Sequence, residues 1–384
     1  MFYLGNWIDS FPDNYQWSNA TSITKGMAPW GAVALGEIDE IIQRLHARAR
    51  EPEAWWEEWT AMAQRMEIAA EAAAAEGRQA TAGNYYLRAG MYYYTGERMV
   101  APGEQKLGIY RKSLSCAHEG LKRRYRNIEF LEVPYEGTHL PAYFMKSPSA
   151  TGRAPTVVLF DGMDNCKEMS VLFAGVELAF RGFHTLAVDG PGQGEALRLR
   201  NLPSRYDYEV PGTAAYEYVA ARDDVDPGRV AIMAYSLGGY SAPRMAAFEK
   251  RYRACVAWGA LYDYHATWEK RRKVMQADST KVAASHFQLP WVMGVPNMEA
   301  AMETIKKFTL AGVAERIECP TLILYGENDR LTSRDVADQL FNAVGARDKT
   351  LKVLTAEEGG AEHCQADNRQ VGIDYIADWL AARL

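Results

Sequence analysis

The sequence predicts an α/β protein, a mostly parallel doubly wound sheet preceded by a helical domain. Three observations carry this reading. From Asn127 onward, short apolar runs (Thr156–Phe160, Thr185–Val188, Val230–Ala234, Ala254–Trp258, Thr321–Tyr325 and Leu351–Leu354) alternate with helical stretches. Strands that are apolar throughout are buried on both faces, as parallel strands covered by helices are. Residues 1–126 instead place their apolar side chains three and four positions apart, the amphipathic-helix signal. A chain of 384 residues also exceeds one average domain, so a core with an accessory domain is the natural division.

Within residues 1–126, a helix is expected over Pro52–Glu76, carrying Trp55, Trp56, Trp59, Met62, Met66 and an alanine run, with Gly77 as its stop. Others are expected over Gln79–Thr95 and Gly103–Tyr125. The small-aromatic rhythm of Ala80–Tyr94 has the look of a helical repeat, but no period recurs, which excludes a solenoid. The basic run Lys122–Arg126 falls at a helix C-terminus, where cations complement the dipole. Two alternating strands, Ile128–Val133 and Leu140–Met145, flank Glu136-Gly137-Thr138 and open the second domain, residues 127–384, as a hairpin. The long interval between Trp258 and Cys319 interrupts the strand–helix rhythm. A structureless loop of that length is improbable, so a helical lid is expected at about 260–318.

Composition narrows the function. With 43 basic against 49 acidic residues and no basic stripe, nucleic acid is not an expected partner. The five cysteines are scattered, odd in number and without a C-x-x-C pair, which suits a reducing compartment. No lysine or arginine precedes Lys25 and no apolar run is long enough to span a bilayer. A cytoplasmic protein without membrane association is therefore expected.

The chemistry is concentrated at strand ends. Val230–Ala234 runs into Tyr235-Ser236-Leu237-Gly238-Gly239 and then a helix, the A-x-S-x-G form of a nucleophile elbow. Ser236 is the candidate nucleophile; its alternative is an ordinary helix N-cap serine. The N–H of Leu237, at a helix start, is a candidate oxyanion donor. Thr321–Tyr325 leads to Asp329, and Leu351–Leu354 leads through a loop to His363. Working groups of an open parallel sheet lie at the carboxyl ends of its strands, and the order Ser…Asp…His is that of the α/β-hydrolase fold. His363 is accordingly the expected base and Asp329 its orienting acid. The turn after Phe160 should supply the second oxyanion donor from Met163. Asp189–Glu195 has phosphate-loop glycines but no G-x-x-x-x-G-K-[S/T], so it reads as a structural turn. Cys364, beside the base, reads as a bystander.

Taken together, the sequence resembles 2,6-dihydroxypseudooxynicotine hydrolase and the fungal polyketide-shortening hydrolases of pigment pathways. The resemblance rests on Trp56-Glu57-Glu58-Trp59, Thr81–Ala89, Gly162-Met163-Asp164 with Lys167-Glu168, Asp189–Glu195 and His363-Cys364. It implies hydrolysis of a carbon–carbon bond beside a ketone in an acyl-phenol or polyketide-like substrate, no cofactor or metal, and a homodimer. It also implies a role for Asp164, where the nicotine-pathway enzyme has glutamate and the pigment-pathway type has aspartate. Gly162, Tyr235, Trp56 and Tyr93 are the expected substrate contacts. A carboxylesterase or lactonase using the same triad is the alternative, and an acyltransferase a further one.

Overall fold

The computed structural model describes residues 7–49, 51, 53–163 and 165–384. The chain divides into two compact units, one of Met1–Ile128 with Val274–Gln288 and the other of Glu129–Lys273 with Leu289–Leu384.

The first unit carries five helices among its described residues: α1 (Tyr15–Lys25), α2 (Leu35–Ala47), α3 (Ala54–Ala75), α4 (Gln79–Glu97) and α5 (Glu104–Arg124). The last three fall where the sequence places them. No boundaries were expected for α1 and α2. The α1 helix buries Ser18, Thr21, Ser22 and Thr24 beside Trp17 and Ala20, so its inner face is too polar to read as an apolar stripe. Trp17, Trp55, Trp59 and Tyr92 form a chain of tilted rings with centroids 5.5, 5.5 and 5.9 Å apart. Aromatic rings this close contribute beyond their buried area, and they make the unit's interior. Two glycines let α4 and α5 touch backbone to backbone. A Cβ on Gly90 would lie 2.7 Å from the Ala117 nitrogen, and one on Gly120 2.5 Å from that of Leu87.

The second unit is built on an eight-stranded sheet. Its strands are β1 (Ile128–Tyr135), β2 (Thr138–Met145), β3 (Ala154–Phe160), β4 (His184–Val188), β5 (Val225–Tyr235), β6 (Ala254–Trp258), β7 (Thr321–Gly326) and β8 (Lys349–Leu354). They lie in the order β1-β2-β4-β3-β5-β6-β7-β8. The β2–β4 pair is antiparallel, and every pairing from β4 through β8 is parallel. The turn between β1 and β2 uses Glu136 (φ 40°) and Gly137 (φ 79°), the left-handed pair of a two-residue hairpin turn.

The helices between strands are α6 (Lys167–Ser170), α7 (Val176–Phe180), α8 (Gly194–Arg198), α9 (Glu209–Ala220), α10 (Gly238–Phe248), α11 (Tyr264–Ala277), α12 (Gln288–Met293), α13 (Met298–Ile305) and α14 (Arg334–Ala343), with α15 (Arg369–Ala381) closing the chain. The interval expected as one lid carries α11, α12 and α13, and its stretch Val274–Gln288 groups with the helical unit. Among the described residues, no helix is long and apolar enough to cross a membrane.

The α4–α5 contact gives a direct test. Gly120→Val should destabilise the protein by about 1–3 kcal/mol or more, the usual range for overpacking, because the new side chain meets backbone that has no room to yield. An unchanged urea-unfolding midpoint would contradict the backbone-to-backbone contact.

Candidate active site

Strand β5 delivers Ser236 into the turn that starts α10. Ser236 sits at φ 62°, in the left-handed region that side-chain-bearing residues seldom occupy. Its N–H donates to the Trp258 carbonyl at 2.9 Å, and its carbonyl accepts from Gly239 N–H at 2.8 Å. The turn is tight enough that a Cβ on Gly238 would lie 2.4 Å from the Ala234 Cβ. Alanine is therefore tolerated at the first small position of the motif because glycine occupies the second.

His363 and Asp329 arrive from the ends of β8 and β7. His363 Nε2 lies 3.0 Å from Ser236 Oγ, and its Nδ1 lies 2.6 Å from Asp329 Oδ2. The acid is fixed by its own loop. Asp329 Oδ1 accepts from the Leu331 and Thr332 amides at 2.7 and 3.0 Å, and Oδ2 accepts from the Thr332 hydroxyl at 3.0 Å. The two loops are tied together where Asn328 N–H donates to the Ala361 carbonyl at 2.8 Å. The three side chains expected to act together are thus within hydrogen-bonding distance in one line.

Around Ser236, Leu237 caps the N-terminus of α10, where amide donors precede the first intrahelical acceptors. Gly162 lies against the serine, since a Cβ there would sit 2.8 Å from Ser236 Cβ and 3.4 Å from its Oγ. Only a bare backbone fits at that point. Met163 is buried, and its Sδ accepts from the Tyr264 hydroxyl at 3.0 Å. Asp164 lies outside the described residues.

A family described as Esterase FrsA-like matches residues 48–384. The chain belongs to that family. It is 26% identical to the 20-hydroxy-prefusarin hydrolase of Gibberella moniliformis, over 92% of this chain and 93% of the relative. To the 2,6-dihydropseudooxynicotine hydrolase of Paenarthrobacter nicotinovorans it is 27% identical, over 92% and 91%. The crystal structure of a 2,6-dihydroxy-pseudo-oxynicotine hydrolase superposes with a TM-score of 0.76 at 24% identity, covering 94% of this chain and 95% of that one. That of AbyA5 gives 0.66 at 19%, covering 90% and 87%. The fold is the α/β-hydrolase fold, and this FrsA-like chain is a hydrolase.

Among the expected substrate contacts, the Tyr235 side chain is turned away from the surface. In this FrsA-like chain its ring is buried beneath the elbow, and its hydroxyl donates to Asp161 Oδ1 at 2.6 Å. Tyr235 is the last residue of β5, and its ring packs inward before the chain turns at Ser236. Tyr93 is buried in the helical unit with its hydroxyl donated to Glu67 Oε2 at 2.6 Å, which leaves that group engaged. Trp56, on α3, is half-buried.

Several residues shape the site in ways the sequence did not indicate, Cys364 among them, which reads there as a bystander. Cys364 and Gln365 hold left-handed backbone at φ 48° and 52°. Cys364 Sγ donates to the Trp258 carbonyl at 3.1 Å, and Gln365 Oε1 accepts from Trp258 Nε1. Both side chains thereby moor the histidine turn to the end of β6, the strand whose last carbonyl also holds Ser236. Asp367 accepts from the amides of Ala361 and Glu362 at 2.9 and 3.0 Å and stiffens the approach to His363. A composition-based reading misses these because each acts on backbone groups brought close only by the fold.

Charge follows from these contacts. Burial works against the Asp329 carboxylate, yet His363 and the loop amides hold it below the ordinary aspartate range. Burial likewise opposes a charged imidazole, and the Asp329 carboxylate outweighs it, raising His363 above the ordinary histidine range. Only neutral imidazole accepts a proton, so activity should rise with pH through a midpoint set by this pair. Asp329→Asn should lower both the maximal rate and the pH of that midpoint, because the group that raises the histidine is gone. A pH–rate profile whose acid limb stays in place would show that Asp329 does not tune His363.

Proposed function

We propose that this protein is a serine hydrolase that cleaves the carbon–carbon bond beside a ketone in an acyl-phenol or polyketide-like substrate. The observation that carries the serine-hydrolase part of the reading is the unbroken line from Asp329 through His363 to Ser236, with separations of 2.6 and 3.0 Å. Nucleophilic catalysis by a serine needs a base within hydrogen-bond reach and a third group to orient it. In the proposed reaction, His363 takes the Ser236 proton as Oγ attacks the carbonyl carbon. The N–H groups of Leu237 and Met163 receive the oxyanion. Collapse breaks the bond to the neighbouring carbon, whose electron pair leaves as an enolate or stabilised carbanion and is protonated. Water, activated by His363, then releases the acyl group as a carboxylic acid.

The choice of a carbon–carbon bond is supported by two relatives named as hydrolases of 20-hydroxy-prefusarin and 2,6-dihydropseudooxynicotine. It is supported as well by Asp164, two positions after Gly162, in the sequence segment that carries the resemblance. In this reading Asp164 binds a substrate hydroxyl or delivers the proton to the departing carbon. The family description, Esterase FrsA-like, favours a second reading, a carboxylesterase or lactonase with the same three residues. An alkoxide leaving group takes its proton from His363 alone, so esters would leave Asp164 without a task.

Ser236→Ala should abolish turnover, with a loss on the order of 10⁶-fold in kcat and an unchanged melting temperature. Activity within tenfold of wild type would remove Ser236 from the mechanism. Asp164→Asn separates the two bond types. It should depress ketone cleavage by about 10²–10⁴-fold, the usual worth of a positioned acid–base group, while hydrolysis of an activated aryl ester stays near wild type. Equal losses on both substrates would give Asp164 a structural role. Efficient ester turnover, with no cleavage of a panel of acyl-phenols and diketones by wild type, would decide for the esterase.

A further inference from the structure

Below Ser236 lies a cluster of buried acids that the proposed reaction does not use. Asp161 and Asp189 follow Phe160 and Val188, which are paired across β3 and β4, so the two carboxyls leave the sheet side by side. Both residues are fully buried. Asp189 is well supplied with donors. Its Oδ1 accepts from Lys167 N–H at 2.6 Å, and its Oδ2 accepts from Glu195 N–H at 2.7 Å and from Lys167 Nζ at 3.0 Å. Lys167 Nζ is shared with Glu168 and Glu195, each at 3.0 Å. Tyr143 donates to Glu168 at 2.5 Å, and Arg200 reaches Glu195 at 3.1 Å. Lys167 is thus engaged by Asp189, Glu168 and Glu195, and Arg200 by Glu195 and Glu132.

Asp161 has a different environment. Its Oδ1 accepts hydroxyl hydrogens from Tyr235, at 2.6 Å, and from Ser170. Among the described residues no donor reaches its Oδ2, and the paired strand ends make the Asp189 carboxyl its charged neighbour. Two buried carboxylates in contact would leave a charged oxygen facing another with no solvent, which costs several kcal/mol. A proton on Oδ2 removes the conflict and turns the orphaned oxygen into a donor to Asp189. Burial, reinforced by the Asp189 charge, holds the Asp161 carboxyl well above the ordinary range.

The position of this acid matters for the reaction. Asp161 directly precedes Gly162 and Met163, and its carbonyl accepts from Gln193 Nε2, whose Oε1 in turn accepts from Gly190 N–H at 2.9 Å. Its side chain grips Tyr235, the residue before Ser236. One carboxyl therefore joins the loop that touches the serine to the strand end that carries it. We propose that Asp161 is a positioning residue that works as a neutral acid, donating to Asp189 and accepting from Tyr235 and Ser170, and so holds the Met163 N–H in register with Ser236. This rests on the reading of Ser236 as nucleophile and Met163 as oxyanion donor.

Asparagine copies a protonated aspartate, with one donor and one acceptor in the same places, whereas it cannot replace a carboxylate. Wild type, Asp161→Asn, Asp161→Ala, Tyr235→Phe and Ser236→Ala are compared for kcat and KM on an activated aryl ester, with thermal unfolding in parallel. Asp161→Ala should lower kcat by about 10²-fold, near the worth of one oxyanion donor, with KM within threefold. Asp161→Asn should recover most of that loss. Should Asp161→Ala not fold, Tyr235→Phe carries the test, with kcat expected to fall about tenfold at unchanged KM for the loss of one hydrogen bond to the acid. The proposal is overturned if Asp161→Asn falls as far as Asp161→Ala, if Asp161→Ala keeps kcat within threefold, or if Tyr235→Phe leaves kcat untouched. Ester turnover that survives in Ser236→Ala would instead place the failure with the nucleophile.

Discussion

Ser236 is held at a backbone angle that its side chain disfavours, and most of the surrounding structure is what keeps it there. A left-handed φ of 62° on a residue with a Cβ costs of order 1–3 kcal/mol unless neighbouring contacts over-determine it. Here the serine N–H is bonded to the end of β6, its carbonyl to the first turn of α10, and glycines at 162 and 238 clear the space on either side. The same Trp258 carbonyl that holds the serine also accepts from Cys364, next to the histidine. The positions of Ser236 and of the turn that carries His363 are thus set against one backbone atom, and a shift in either disturbs the other.

Two buried aspartates near this turn show how donors decide charge. Asp329 receives two amides, a hydroxyl and the imidazole, and it is held below the ordinary range against its burial. Asp161 receives two hydroxyls and faces a second carboxyl, and it is held far above that range. Burial is common to both, so it is not what separates them. The difference lies in whether nearby groups supply positive charge and N–H dipoles or compete for them. One carboxyl is thereby suited to steady an imidazolium and the other to act as a neutral hydrogen-bonding joint.

The parallel strands and the three main helices of the first unit were legible because their signals are local: uniform apolar runs and three-to-four spacing. The approach of Ser236, Asp329 and His363 to one another was legible because parallel strands expose their carboxyl ends on one edge, which turns sequence order into spatial proximity. What escaped was non-local or polar. Helix α1 faces its core mostly with serines and threonines around Trp17 and Ala20, a face that hydropathy registers only weakly. The burial of the Tyr235 ring was not legible because adjacency to the serine in sequence does not say which way a side chain turns. The Lys167 cluster appeared only as part of a family resemblance, since nothing in one dimension brings residue 167 to residues 189 and 195.

Ester and carbon–carbon hydrolysis share attack, oxyanion and acyl-enzyme, and they part company only at the leaving group. An alkoxide is basic oxygen and takes a proton from the imidazolium that has just formed. A departing carbon must first spread its charge onto a neighbouring carbonyl or phenol, which requires that group to be held in the right plane as the bond breaks. The serine, histidine and aspartate therefore cannot encode bond preference, which falls to whatever grips the departing half. The loop leaving β3 is suited to that task because Gly162 brings it against Ser236 without a side chain in the path of attack. Its anchor, Asp161, is tied to the strand end beneath the serine, so a group on this loop keeps a fixed relation to the reacting carbon.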